Sequence, residues 1–262
     1  MQRAQVNGAG LHFADEGPRD GKALVFANSL GTDLRLWDAL VPHLPAGLRL
    51  VRYDKRGHGL SEATPGPYSI DQMADDAAGL IRHLGLTEVT FVGLSIGGMI
   101  GLSLAARHPG LLRALVVSNS AARIGTEEMW QDRIAAIRSG GLGQIGAPTM
   151  ERWFSPDFRA SGAADLWQTM LERQPLAGYV ACCEALAAAD LTDQARGLRL
   201  PVQLIGGSLD GSTPPALVQQ TAQLIDGAKY AEIAGAGHLP CVEAPAAFAA
   251  ILTQFLKEVG HV

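Results

Sequence analysis

The stretch Val92-Gly93-Leu94-Ser95-Ile96-Gly97-Gly98 restricts the possible folds of this chain more than any other. Glu88 to Val92 reads as a buried strand, and Met99 to His108, rich in Ala and Leu, continues as a helix. A serine at that junction must sit on a very sharp turn, often with φ > 0. Its neighbours two positions away must be small, or strand and helix collide, and Gly93 and Gly97 meet that need on both sides. The turn lifts the Ser95 hydroxyl above the sheet edge and aims the first helical N–H groups at whatever reacts there. With 31 glycines in the chain, G-x-S-x-G can arise by chance; the strand–turn–helix context makes Ser95 a candidate nucleophile. A serine is a poor nucleophile without a base, so the rest of the chain has to supply one.

Around this turn, strand and helix patterns alternate. Val6 to Ala14 looks like a hairpin with Asn7-Gly8 as its turn, and Ala23 to Ala27 is a short apolar strand. Leu34, Trp37, Leu40, Val41 and Leu44 repeat at helical spacing, and Leu48 to Tyr53 makes the next strand. Ser69 with Gln72 resembles a capping box opening a helix to about Leu84, and Leu112 to Ser118 is another strand. The alternation resumes with a strand from Leu200 to Ile205, a helix from about Pro214 to Ile225, a strand from Ala228 to Ile233 and a final helix toward Glu258. This rhythm predicts an α/β fold, a mostly parallel sheet flanked by helices, with ligands at the carboxyl ends of its strands. Arg123 to about Asp190 breaks it, with helical patterns and no convincing strand. We expect residues 1–121 and 191–262 to form the core and 122–190 an inserted helical cap.

Among the seven histidines, His238 stands out. It follows a strand within Ala234-Gly235-Ala236-Gly237-His238, a flexible loop able to carry an imidazole over the sheet. His58, between two glycines, is expected to brace its own tight loop. Asp210 lies just past another strand, where its carboxylate can receive the Nδ1–H of His238 and stabilise an imidazolium. The order Ser, Asp, His, each after a predicted strand, is the order found in α/β-hydrolases. Oxyanion donors are expected from the backbone N–H of Ile96, next to the serine, and of Leu30, in the loop Asn28-Ser29-Leu30-Gly31.

The chain thereby resembles the α/β-hydrolase superfamily over nearly its whole length. Within it, the chain is similar to the 3-oxoadipate enol-lactonases of aromatic degradation. The closer likeness is carried by Asn28-Ser29-Leu30-Gly31-Thr32, Tyr53-Asp54-Lys55-Arg56-Gly57-His58-Gly59 and Gly93-Leu94-Ser95-Ile96-Gly97-Gly98. Asn119-Ser120-Ala121-Ala122-Arg123-Ile124-Gly125, Arg152-Trp153-Phe154, Gly178-Tyr179, Cys183-Glu184-Ala185 and Asp190-Leu191 add to it. The resemblance implies Ser95 as nucleophile, His238 as base then acid, Asp210 as orienter, a small anionic enol-lactone as substrate, and no metal or organic cofactor.

A carboxylate on the substrate needs a cation or several donors in the pocket. Trp130 and Arg133, one helical turn apart, are candidates to face the cleft together, and Arg152-Trp153-Phe154 is the other candidate cluster. Trp130, Arg133 and Trp153 are thus the expected substrate contacts. A general carboxylesterase or perhydrolase, or a carbon–carbon bond hydrolase, would use the same three residues. A ligand receptor retaining the fold is the non-catalytic alternative.

A net charge of −5, a pI near 5.8 and the lack of any Lys/Arg block argue against nucleic acid or an anionic membrane as partner. No apolar run of about 18 residues suggests a membrane span. Three cysteines, two of them adjacent, imply no disulfide framework, and a cytoplasmic location is the simplest expectation.

Overall fold

The computed structural model describes residues 1–262. Its strands are β1 (Gln2–Val6), β2 (Ala9–Glu16), β3 (Ala23–Ala27), β4 (Arg49–Tyr53), β5 (Val89–Leu94), β6 (Leu112–Ser118), β7 (Val202–Gly207) and β8 (Lys229–Ile233). They form one sheet in the order β1-β2-β4-β3-β5-β6-β7-β8. The β1–β2 and β2–β4 pairs are antiparallel and all others parallel. The hairpin between β1 and β2 turns on Asn7 and Gly8, both at positive φ (45° and 73°), as a tight primed turn requires.

Parallel strands covered on both faces read as continuous apolar runs. Every residue of β3, β5 and β7 is buried, whereas β8 at the edge buries only Ile233. Leu24, Val25 and Phe26 have no exposed surface, and each side chain contributes about 1.5–3 kcal/mol by leaving water.

Two helices flank the centre of the sheet, α1 (Ile70–His83) and α2 (Ile96–Arg107), packed on each other. Ser69 caps α1, its Oγ accepting the Gln72 N–H at 3.0 Å. Between β6 and β7 the chain is helical throughout, with α3 (Glu127–Gly140), α4 (Gly146–Trp153), α5 (Pro156–Ala160), α6 (Asp165–Glu172), α7 (Leu176–Ala188) and α8 (Thr192–Gly197). Then α9 (Pro215–Leu224) joins β7 to β8, and α10 (Pro240–Glu243) and α11 (Pro245–Glu258) close the chain. No helix is long and apolar enough to cross a membrane.

One expectation needs correction. Residues 34–44 do not form a helix but two short 3-10 turns, Leu34–Trp37 and Val41–His43. Pro42 lacks the N–H that an α-helix needs there and would clash with the carbonyl four residues back. Near the end of the chain His261 is 2% exposed, with Nε2 3.1 Å from the Ala23 carbonyl oxygen.

Candidate active site

Four chain segments leave the carboxyl ends of β3, β5, β7 and β8 and bring Leu30, Ser95, Asp210 and His238 to the same side of the sheet. Ser95 has φ 58°, ψ −121°, a strained conformation for a residue with a side chain. The close approach behind it is strict. A Cβ on Gly93 would lie 2.1 Å from the Gly97 oxygen, and one on Gly97 would lie 2.2 Å from the Ala27 oxygen. The strain is held by hydrogen bonds at both ends of the residue: Ser95 N–H donates to the Ser118 carbonyl at 2.9 Å, and Ser120 Oγ donates to the Ser95 carbonyl at 2.6 Å.

Asp210 is 4% exposed and accepts five hydrogen bonds. Oδ1 receives the N–H groups of Ser212 (2.7 Å) and Thr213 (2.9 Å). Oδ2 receives Asn119 Nδ2 (2.8 Å), Thr213 Oγ1 (2.7 Å) and His238 Nδ1 (2.9 Å). Burial pushes the carboxyl pKa up, but attraction to His238 and the bonds from His238, Asn119 and Thr213 prevail and hold it below its ordinary value. An ionised carboxylate can only accept, so the bond to His238 assigns the proton to Nδ1 and leaves Nε2 as the unprotonated nitrogen of the neutral ring. His238 makes its side-chain hydrogen bonds through Nδ1 alone. Ser95 and His238 line one cavity without a hydrogen bond between their side chains, a contact that commonly tightens only with substrate bound.

Ile96 opens α2, where its N–H has no intrahelical partner. Leu30, in the loop after β3, likewise has no protein partner for its N–H. The loop around Leu30 is fixed from below. Gly31 N–H donates to His58 Nε2 at 2.9 Å, and Gly31 sits at φ 82°, a conformation that strains any residue with a Cβ, which would also fall 2.3 Å from Leu171 Cδ1. Burial, reinforced by the nearby Lys55 charge, keeps the His58 pKa well below the usual imidazole value, so His58 acts as a neutral acceptor. The brace expected of His58 is therefore made to the Leu30–Gly31 loop, not only to its own.

The cavity has a volume of about 350 Å³ and is walled by both the strand-end loops and the α3–α4 region. Trp130, Arg133, Arg152 and Trp153 all line it, so both candidate clusters share one space. Arg133 donates to Tyr179 Oη (2.7 Å) and Thr149 Oγ1 (3.0 Å), and Arg152 to the same Thr149 Oγ1 (3.3 Å). Neither guanidinium has a carboxylate within ion-pairing distance, 4.0 Å. Burial and repulsion from Arg133 both lower the Arg152 pKa.

Sequence reasoning missed several residues. The backbone at the end of α4 clips two loops together: Arg152 O accepts Gly211 N–H (3.1 Å) and Trp153 O accepts His238 N–H (2.7 Å). Glu243 adds a second clip, accepting Gly237 N–H at 2.6 Å and both N–H and Oγ of Ser155 at 2.9 and 2.7 Å. Asn119, in a left-handed conformation at φ 46°, is the third side-chain donor to Asp210. Its position at the end of a strand beside the Ser95 strand was the available signal.

A family model for the alpha/beta hydrolase fold matches residues 22–245. 3-Oxoadipate enol-lactonase 2 of Acinetobacter baylyi is 37% identical over 91% of this chain and 90% of its own length. 3-Oxoadipate enol-lactonase 1 of the same organism is 33% identical over 96% and 95%. The crystal structure of the enol-lactonase from Burkholderia xenovorans LB400 superposes with a TM-score of 0.94 at 38% identity, covering 98% of this chain and 100% of that one. The chain belongs to the alpha/beta hydrolase family, with 3-oxoadipate enol-lactonases among its relatives.

Proposed function

We propose that this protein is a serine hydrolase that opens 3-oxoadipate enol-lactone to 3-oxoadipate. The observation that carries the choice of substrate is the pair of guanidinium groups, Arg133 and Arg152, facing one cavity with Ser95 and His238 and holding no carboxylate of the protein. Two half-buried cations repel each other unless an anion joins them, and a carboxylate arm on the substrate supplies one. The cavity volume also falls within the usual range for small-molecule sites.

In this reading Ser95 Oγ attacks the lactone carbonyl carbon while His238 Nε2 takes its proton. The C–O π bond becomes an oxyanion that accepts the Leu30 and Ile96 N–H groups. Collapse restores the carbonyl and breaks the ring C–O bond. His238 returns the proton to the departing enol oxygen, and the enol tautomerises to the ketone. An enol leaves more readily than a simple alcohol. Water then attacks the acyl carbon while His238 takes its proton; collapse breaks the bond to Ser95 Oγ, His238 returns the proton to that oxygen, and the second carboxylate is freed. Asp210 holds the Nδ1–H throughout and stabilises the imidazolium in both halves. The helices between β6 and β7 act as a cap that supplies the anion-binding wall. Three free, buried cysteines suit a reducing compartment, and we place the enzyme in the cytoplasm.

The test is loss of enol-lactone ultraviolet absorbance, run beside simple aryl esters. We expect lactone turnover well above ester turnover and its abolition in folded Ser95→Ala. Fast ester cleavage without lactone turnover would overturn the substrate, and an active Ser95→Ala would overturn the nucleophile.

A further inference from the structure

Lys55, in the loop after β4, is 1% exposed, and its charge is unused by the chemistry above. Its Nζ donates to the Ser29 carbonyl at 2.6 Å and to the Thr32 carbonyl at 3.4 Å. No carboxylate lies within 4.0 Å. The acids near it are engaged elsewhere. Asp54 accepts from Leu34 N–H (2.7 Å), Leu60 N–H (2.9 Å) and His12 Nδ1 (2.8 Å), and Asp33 is forked by Arg35. Burying an ammonium group without a counter-ion is costly, and a neutral side chain of similar length would fill the same space without that cost.

The Ser29 carbonyl that Lys55 holds and the N–H of Leu30, a residue that lines the cavity, belong to one peptide unit. A cation on the oxygen of an amide shifts its resonance toward the C–N double bond and makes the attached N–H a stronger donor. We propose that Lys55 is a positioning residue of the oxyanion site: its ammonium polarises the Ser29–Leu30 peptide and strengthens the Leu30 N–H toward the oxyanion formed when Ser95 attacks. The inference rests on the roles given above to Ser95 and Leu30. It divides the support of the loop in two. Neutral His58 fixes the next peptide through Gly31 N–H, and Lys55 supplies charge.

The charge can be removed without removing the hydrogen bond, because a neutral amine still donates. Burial lowers the Lys55 pKa to about 8, against the opposing pull of Cys182, Asp54 and Asp33. His58, held neutral, and Cys182, whose thiol burial pushes up to about 12, do not contribute a charge change in this range. The polarising effect is therefore complete below pH about 8 and lost above it.

The experiment compares wild type with Lys55→Met, using p-nitrophenyl acetate as a stable ester and phenylboronic acid as a probe that forms a tetrahedral anion on the serine. We expect kcat to fall about tenfold with KM unchanged, a fraction of the loss on deleting an oxyanion donor outright. The inhibition constant of phenylboronic acid at pH 7 should rise by the same factor, with no loss of thermal midpoint. Wild-type kcat should fall as pH rises through about 8, and that limb should be absent from Lys55→Met. Wild-type kcat and inhibition constant in the variant, or an alkaline limb present in both proteins, would overturn the proposal. Should Lys55→Met not fold, Lys55→Gln, which keeps a hydrogen-bond donor without the charge, takes its place, and wild-type kcat and inhibition constant there overturn the proposal equally. An inactive Ser95→Ala beside an unimpaired Lys55→Met removes Lys55 from the account and leaves the nucleophile in place.

Discussion

The two walls of the cavity treat charge in opposite ways. On the sheet side the charged and bracing groups behind the reacting atoms are already answered by the protein. Asp210 accepts five bonds, Gly31 N–H meets His58, and Lys55 meets two carbonyls. On the helical side Arg133 and Arg152 share Thr149 Oγ1 and meet no carboxylate. Elsewhere in the molecule, buried arginines are paired: Arg49 with Asp15 at 2.9 Å and Arg56 with Asp76 at 2.6 Å. The contrast separates two tasks. Groups that orient and support the reacting atoms must be held rigid before substrate arrives, so their partners are built in. Groups that choose an anionic substrate must leave their charge open to it.

The largest way to break this division is at the built-in side. Asp210→Asn keeps the shape of the acid but presents an amide to His238 Nδ1, favouring the wrong tautomer. A loss of about 10⁴ in kcat is expected, with little change in KM, measured by steady-state kinetics on the lactone. An Asp210→Asn enzyme retaining a tenth of wild-type kcat would show that the acid is only a turn residue.

Next in size is the paired arginine. Asp76→Ala strands the Arg56 guanidinium, which is buried and also bonded to Thr64 Oγ1 and the Asn7 carbonyl. Stability should fall by about 3–5 kcal/mol in denaturant titration, while the folded fraction keeps its kcat/KM. For the open arginines the expectation is reversed. Arg152→Met should lower kcat/KM for the lactone by roughly 10- to 100-fold, the worth of a charge-assisted bond, and leave the denaturation midpoint near wild type. Arg133→Met should do the same and also lose some stability, because Arg133 holds Tyr179 through two bonds, at 2.7 and 3.2 Å. Two arginines that changed stability alone would merge the two walls into one structural class.

The smallest effect concerns acid. The folded-state pKa of Asp210 lies below its ordinary 3.8, so the stability it contributes is complete above that pH. It disappears as pH falls through the lower folded value. Asp210→Asn should therefore show a shallower decline of thermal midpoint below pH about 3.8 than wild type. An equally steep decline would mean that the carboxylate gains nothing from its five donors.

Much of the sheet side was legible in the sequence because its signals are local. Glycines two positions on either side of Ser95, a glycine-rich loop before His238 and a polar loop after an apolar strand each declare a backbone geometry at their own position. The helical spacing of Trp130 and Arg133 also put both on the cavity wall as expected. What stayed hidden depends on contacts between distant segments. Nothing near Arg152 in sequence says that its carbonyl meets Gly211, or that Trp153 anchors His238 through its backbone carbonyl. Lys55 was visible only as a member of the Tyr53–Gly59 motif, and its meeting with the Ser29 carbonyl is tertiary. The apolar period from Leu34 to Leu44 misled for the opposite reason: the side chains do pack inward, but Pro42 keeps the backbone in short turns.

The most direct test is kcat/KM for 3-oxoadipate enol-lactone and for its neutral methyl ester, in wild type and in the double variant Arg133→Met/Arg152→Met. The account predicts that wild type strongly prefers the free acid, and that the double variant loses this preference while opening the neutral lactone at the wild-type rate. A preference that survives removal of both guanidinium groups would contradict it.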